Sequence, residues 1–154
     1  MDKIIIAVDF DGTCTAHNFP AIGADIGAAE VLRELVENGH RLILWTMRSN
    51  KLDNINVVTS DTSVYTPKEG ERNDYLSQAI QWFLDNDIAL YGVQTNPTQS
   101  KWTSSPKCYA NLYLDDAALG CPLTYDIDIS DRPFVNWVEM RELLVARRLL
   151  KCLD

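Results

Sequence analysis

The stretch from Lys3 to Thr13 constrains the fold most: an unbroken apolar run, Ile4-Ile5-Ile6-Ala7-Val8, stops at Asp9-Phe10-Asp11-Gly12-Thr13. A strand covered on both faces reads as a continuous β-branched run, so Ile4 to Val8 is expected as a central parallel strand. Side chains alternate along an extended chain, which turns Asp9 and Asp11 to one side and Phe10 to the other. Two carboxylates then share a small volume at the carboxyl end of a central strand, the edge where open α/β sheets bind ligands. Like charges that close are tolerable only if one is protonated or a cation lies between them. An ordinary turn needs one Asp and a Gly. The second Asp on the same face points to a functional site.

The rest of the chain builds a sheet around that strand. Asp25 can cap a helix whose apolar positions Ile26, Ala29, Leu32, Leu35 and Val36 recur at helical spacing as far as Asn38-Gly39. Arg41 to Trp45 is a second strand running into Thr46-Met47-Arg48-Ser49, which completes a βαβ unit. The β-prone runs Asn54 to Val58 and Ser63 to Tyr65 predict a small hairpin excursion over about residues 52–70, with Tyr65 and Lys68 placed to touch a substrate. A helix is expected from Asn73 to Asn86, a third strand from Ile88 to Val93, and a loop on the functional edge from Gln94 to Pro106. Asn111 to Leu114 is a fourth strand and, like the first, runs into acids, Asp115-Asp116. Tyr125 to Ile129 is expected as a short edge strand and Phe134 to about Leu150 as the last helix. This order fits one α/β domain over residues 1–154, a doubly wound three-layer α/β/α sandwich with a Rossmann-like, mostly parallel sheet.

Charge and cysteine usage narrow the partners. Fourteen basic against 22 acidic residues give a net charge of −8, which repels nucleic-acid backbones and anionic membranes. A small substrate or a cation is the expected partner. Cys14, Cys108, Cys121 and Cys152 show no CxxC or zinc-like spacing and read as reduced thiols. No apolar run approaches membrane-spanning length and no signal-peptide pattern opens the chain, so a cytoplasmic protein is expected.

Three strand ends thus carry reactive groups: Asp9 and Asp11 on the first, Thr46 on the second, Asp115 and Asp116 on the fourth, with Lys101 or Lys107 before the last. In a parallel sheet these ends lie at one edge. The order DxDGT, strand-Thr, Lys, strand-DD resembles the haloacid-dehalogenase-like superfamily of phosphatases over nearly the whole chain. A phosphate monoester needs a nucleophile, a proton for the leaving oxygen and positive charge on the transferring phosphoryl group. The resemblance implies Asp9 as nucleophile, forming an aspartyl-phosphate, and Asp11 as general acid and then base. It implies Mg²⁺ held by Asp9, the main-chain carbonyl of Asp11, and Asp115 or Asp116, an oxygen-rich set that suits this ion. Thr46, Gly12 and Thr13 would contact the phosphoryl group, Lys107 or Lys101 would be the fixed cation, and Arg48 could add a bidentate contact.

The gaps between these motifs hold one helix and one hairpin, so a capless or minimally capped hydrolase of a small phosphorylated metabolite is expected. A response-regulator receiver also combines acids, Thr, Lys and Mg²⁺, but its adjacent acid pair comes first, the reverse of the order here. A non-catalytic or phosphoryl-accepting regulatory protein on the same fold is the alternative.

Overall fold

The computed structural model describes residues 2–51, 57–58, 64–65 and 73–152. In chain order the elements are β1 (Ile5–Val8), α1 (Ala28–Glu37), β2 (Arg41–Leu44), β3 (Asn50–Lys51), β4 (Val57–Val58), β5 (Val64–Tyr65), β6 (Asn73–Asp74), α2 (Tyr75–Asp85), β7 (Leu90–Val93), β8 (Leu112–Leu114), β9 (Leu123–Thr124), β10 (Phe134–Val135) and α3 (Trp137–Ala146). Four strands form a parallel sheet in the order β7-β2-β1-β8. The apolar run of β1 is explained by its place: β2 and β8 pair with it on either side, and Ile6, Ala7 and Val8 are buried. The expected Rossmann-like α/β architecture is present.

One face of the sheet carries the helices. Ile6 and Val8 of β1, Leu42 and Leu44 of β2 and Leu114 of β8 join one core with Leu32 and Leu35 of α1, Phe83 of α2 and Leu144 of α3. These are alternate positions along each strand, as the pleat requires. Each such aliphatic or aromatic side chain contributes about 1.5–3 kcal/mol when fully buried. Among the described residues no helix is long and apolar enough to cross a membrane.

The other face, where Ala7 and Ile43 are buried outside that core, is covered by the connection from β7 to β8. Gly92 lies opposite Ile43, and a Cβ there would come within 2.3 Å of the Thr95 carbonyl oxygen and 3.1 Å of Pro97. The segment that leaves the functional edge at Gln94 therefore folds back across the sheet, with a single 3-10 turn, Gln99–Lys101, in place of an α-helix. Two buried amides stand in for regular backbone pairing. Gln99 donates to the carbonyls of Ser105 and Lys107 and accepts from the Tyr109 amide. Asn96 donates to the Tyr109 carbonyl and accepts from Thr98.

Several boundaries differ from expectation. Helix α1 begins at Ala28 because Asp25 caps the turn before it, accepting from the Gly27 amide, and Gly27 takes a φ of 87°. Phe134–Val135 is not the start of the last helix but a strand paired with β9, and the helix starts after Asn136, whose side chain accepts from the amides of Val138 and Glu139. The edge strand lies at Leu123–Thr124. Residues 126–130 turn instead, with the Asp126 carboxylate and carbonyl accepting from the amides of Asp128, Ile129 and Ser130. The expected hairpin has its two strands, Val57–Val58 pairing antiparallel with Val64–Tyr65, and a second antiparallel pair joins Asn50–Lys51 with Asn73–Asp74. Lys68 lies outside the described residues. All four cysteines are unpaired, as expected.

Candidate active site

In the strand order β7-β2-β1-β8 the chain leaves β1 towards β2 and returns from β7 to β8 on its other flank, so the carboxyl ends of β1 and β8 flank a topological switch point. The Asp9 amide donates to the Leu114 carbonyl at 2.9 Å, extending the β1–β8 pairing to the last residue before the acids. Asp9, Asp115 and Asp116 each offer a carboxylate oxygen, and these lie within 4.8 Å of one another. Burial first, and then the charges of Asp115 and Asp116, push Asp9 up to about 7, against the lowering effect of hydrogen bonds from the Thr13 hydroxyl and the Phe10 backbone. The buried Cys14 thiol beside this centre is also held well above its ordinary value, by burial and then by the charges of Asp9 and Asp11, and stays a protonated, unreactive group.

The turn after β1 arranges the cluster. The amides of Thr13, Cys14 and Thr15 all point to the Phe10 carbonyl, which bends the chain away from the strand direction at Phe10. Thr13 is buried, and its hydroxyl donates to Asp9 Oδ2 at 2.9 Å while its oxygen accepts from the Asp116 amide at 3.0 Å. The turn is clamped from the carboxyl-terminal part of the chain: the Val135 amide donates to the Gly12 carbonyl and the Trp137 indole to the Thr13 carbonyl.

That bend gives Asp9 and Asp11 different partners. Strand alternation ends at Phe10, and Asp11 turns to Arg48, which donates to both of its oxygens at 2.7 Å. Arg48 is 2% exposed, and its remaining N–H groups go to the carbonyls of Pro20, Tyr75 and Ala21. A guanidinium has five N–H donors, and here all five have protein acceptors. Arg48 consequently has no donor left for a phosphoryl group in this arrangement, which revises its expected role.

Thr46 is half-buried at the end of β2, where its hydroxyl oxygen accepts from the Arg48 amide. Its backbone is held by Gln94, whose side-chain amide accepts from Thr46 N and donates to Thr46 O and Arg48 O. Lys107 is exposed with its ammonium 5.8 Å from the centre of the Tyr113 ring, a cation–π contact on β8 rather than a contact with the carboxylates. Lys101, exposed, ends the 3-10 turn. The structure thus brings together Asp9, Thr13, Asp115 and Asp116, and it pairs Asp11 with Arg48.

Sequence reasoning did not single out His17, Gln94 or Trp137. His17 Nε2 lies 2.9 Å from Asp116 Oδ2. Gln94 follows β7 with a φ of 58°, a left-handed turn that sends its side chain back to Thr46. A lone His or Gln in a loop carries no periodic signal, and each is identified only by what faces it across the fold.

No family model matches the sequence, and no curated protein matches it. Among solved structures, the chain is similar to one described as the conserved protein coded by a locus from Bacteroides thetaiotaomicron. The two are 26% identical with a TM-score of 0.65, over 95% of this chain and 93% of that one. The likeness takes in nearly the whole α/β unit.

Proposed function

We propose that this chain is a Mg²⁺-dependent phosphomonoester hydrolase of the haloacid-dehalogenase-like type, acting on a small phosphorylated metabolite through an aspartyl-phosphate on Asp9. The observation that supports it best is the meeting of Asp9 with Asp115 and Asp116 at the switch point between β1 and β8. Three oxygen donors of this kind fit Mg²⁺, a hard cation that prefers carboxylates and water. Bound there, the ion would neutralise charge on the phosphoryl group and on the acids themselves.

The residues supply the rest. Asp9 has one oxygen fixed by the Thr13 hydroxyl, so its carboxylate is oriented before substrate arrives. An Asp9 oxygen attacks phosphorus, the P–O bond to the leaving alcohol breaks, and the alcohol oxygen takes a proton. Water then attacks the acyl phosphate, returning the Asp9 carboxylate and releasing phosphate. For Asp11 to donate the first proton and accept the second, its carboxyl group has to turn out of the Arg48 fork. Thr46 retains a hydroxyl proton with which to bind a phosphoryl oxygen.

Turnover of p-nitrophenyl phosphate tests this reading. Many equivalents released with Mg²⁺ and none after exhaustive chelation are expected. Asp9→Asn, nearly isosteric but a poor nucleophile, abolishes turnover in a folded protein. Asp11→Asn slows turnover of alkyl phosphates by about a hundred- to ten-thousandfold and that of p-nitrophenyl phosphate, whose leaving group needs no proton, least. Unchanged turnover in folded Asp9→Asn protein would overturn the assignment. A second reading, a phosphoryl-accepting or non-catalytic binding protein, is favoured by the Asp11–Arg48 fork and by Lys107 lying over Tyr113. One stable phosphoryl group per chain, or none, would establish it. A screen of phosphorylated sugars and nucleotides then identifies the substrate.

A further inference from the structure

Asp116 is held by two residues from the turn after β1. Its amide donates to Thr13 Oγ1, and its Oδ2 faces His17 Nε2 at 2.9 Å, with the two side chains 16% and 11% exposed. Its Oδ1 has only a long contact, 3.5 Å, with the Thr13 hydroxyl, whose proton goes to Asp9 Oδ2 at 2.9 Å. A carboxylate oxygen can only accept, so this contact places the imidazole proton on Nε2. The ring has room because residue 12 is glycine. A Cβ on Gly12 would lie 2.1 Å from His17 Nε2 and 2.6 Å from Asp116 Oδ2, and the φ of +81° disfavours any other residue as well. The loop that presents the ring is anchored just before His17: the Ala16 amide donates to the Ala24 carbonyl, and Thr15 bridges to Asp11 and to Asp25. His17 is therefore placed against Asp116 by a braced loop.

We propose that His17 is a positioning residue that commits one oxygen of Asp116 to a hydrogen bond and leaves the other as its cation ligand, biasing the acidic centre towards a small octahedral ion. The inference rests on the Mg²⁺ reading above. Mg²⁺ takes single oxygens in near-ideal octahedral geometry, whereas Ca²⁺ takes six to eight oxygens and readily accepts a bidentate carboxylate. With Oδ2 engaged by His17, the bidentate mode of Asp116 is disfavoured. Partners of this outer kind typically affect metal affinity by about 10- to 100-fold.

The test measures binding directly and needs no turnover: calorimetric titration of the full chain with Mg²⁺ and with Ca²⁺, and Mn²⁺ titration followed by electron paramagnetic resonance. His17→Ala and His17→Asn, the latter polar but too short to reach Asp116, are expected to weaken Mg²⁺ and Mn²⁺ binding about 10- to 100-fold and Ca²⁺ binding much less. His17→Gln, whose amide can donate from nearly the same place, is expected to restore most of the wild-type preference. A merely structural role would weaken all three ions alike, and that result overturns the proposal, as does an unchanged Mg²⁺ to Ca²⁺ ratio in folded His17→Asn protein. If the wild-type chain binds none of the three ions, the Mg²⁺ reading itself fails. If it binds them and the His17 variants match it, only the role of His17 fails.

Discussion

At the scale of single residues, Arg48 and Asp11 show how a buried charge is made tolerable. Arg48 is inaccessible and cannot be deprotonated, so its stability depends on having an acceptor for every N–H. Asp11 provides two acceptors, and Pro20, Ala21 and Tyr75 provide carbonyls from the loop after β1 and the start of α2. The Phe10 and Phe19 rings lie 5.1 and 5.2 Å from the guanidinium carbon and complete the surroundings. Arg48→Met would leave the carboxylate and three carbonyls without their donor. A loss of about 3–5 kcal/mol is expected, read from urea unfolding. Arg48→Lys keeps the charge but not the fork, and should recover only part of it. A loss below about 1 kcal/mol for Arg48→Met would mean that water reaches these acceptors and that the fork is energetically minor.

At the scale of elements, the crossover from β7 to β8 departs most from the usual α/β plan. An α-helix satisfies its own backbone, whereas this segment relies on Asn96 and Gln99, buried at 3% and 6% exposure. Gln99 alone makes three hydrogen bonds to backbone groups. Gln99→Ala strands the carbonyls of Ser105 and Lys107 and the amide of Tyr109, at about 1–3 kcal/mol for each group that water cannot reach. The expected outcome is a clear fall in the thermal midpoint and faster amide hydrogen exchange over residues 96–110 than over β1. Uniform exchange across both segments would refute the view that this one side chain organises the layer. Helix α3 shows a similar dependence on a single residue, since Asn136 both caps it and accepts a start point set by the β9–β10 pair.

At the scale of the whole molecule, a net charge of −8 is concentrated in part at the switch point, and this makes stability depend on pH. In the metal-free protein Asp9 titrates near 7 in the fold against an ordinary value of 3.8. The folded state therefore holds more protons than the unfolded chain between these values, and stability falls as pH rises through that window. The contribution of protonated Asp9 is fully present below about 3.8 and lost as pH passes about 7. A cation that needs the ionised carboxylate binds better above that range, so added Mg²⁺ should raise the thermal midpoint more at pH 8 than at pH 6. Asp9→Asn, which removes the titration, should flatten the metal-free dependence. An equal Mg²⁺ effect at both pH values would argue against a cation at Asp9.

The sequence alone determined the four strands of the parallel sheet and the edge at which the acids lie. The β-branched run of β1, the βαβ order and the acids after Leu114 are local patterns, written in consecutive residues and readable through the pleat and the helical period. They were enough to place Asp9 beside Asp115 and Asp116. Tertiary structure decided what the second carboxylate of the motif faces. Alternation predicts that Asp11 follows Asp9, but a turn centred on the Phe10 carbonyl ends the strand and Arg48, 37 residues away, takes Asp11. Likewise only the fold brings His17 to Asp116 across 99 residues, and only the fold lays the chain after Gln94 over Gly92. The physical reason is the same in each case: periodicity reports which way a residue faces, whereas a hydrogen bond or ion pair depends on which distant group the packed chain sets opposite it.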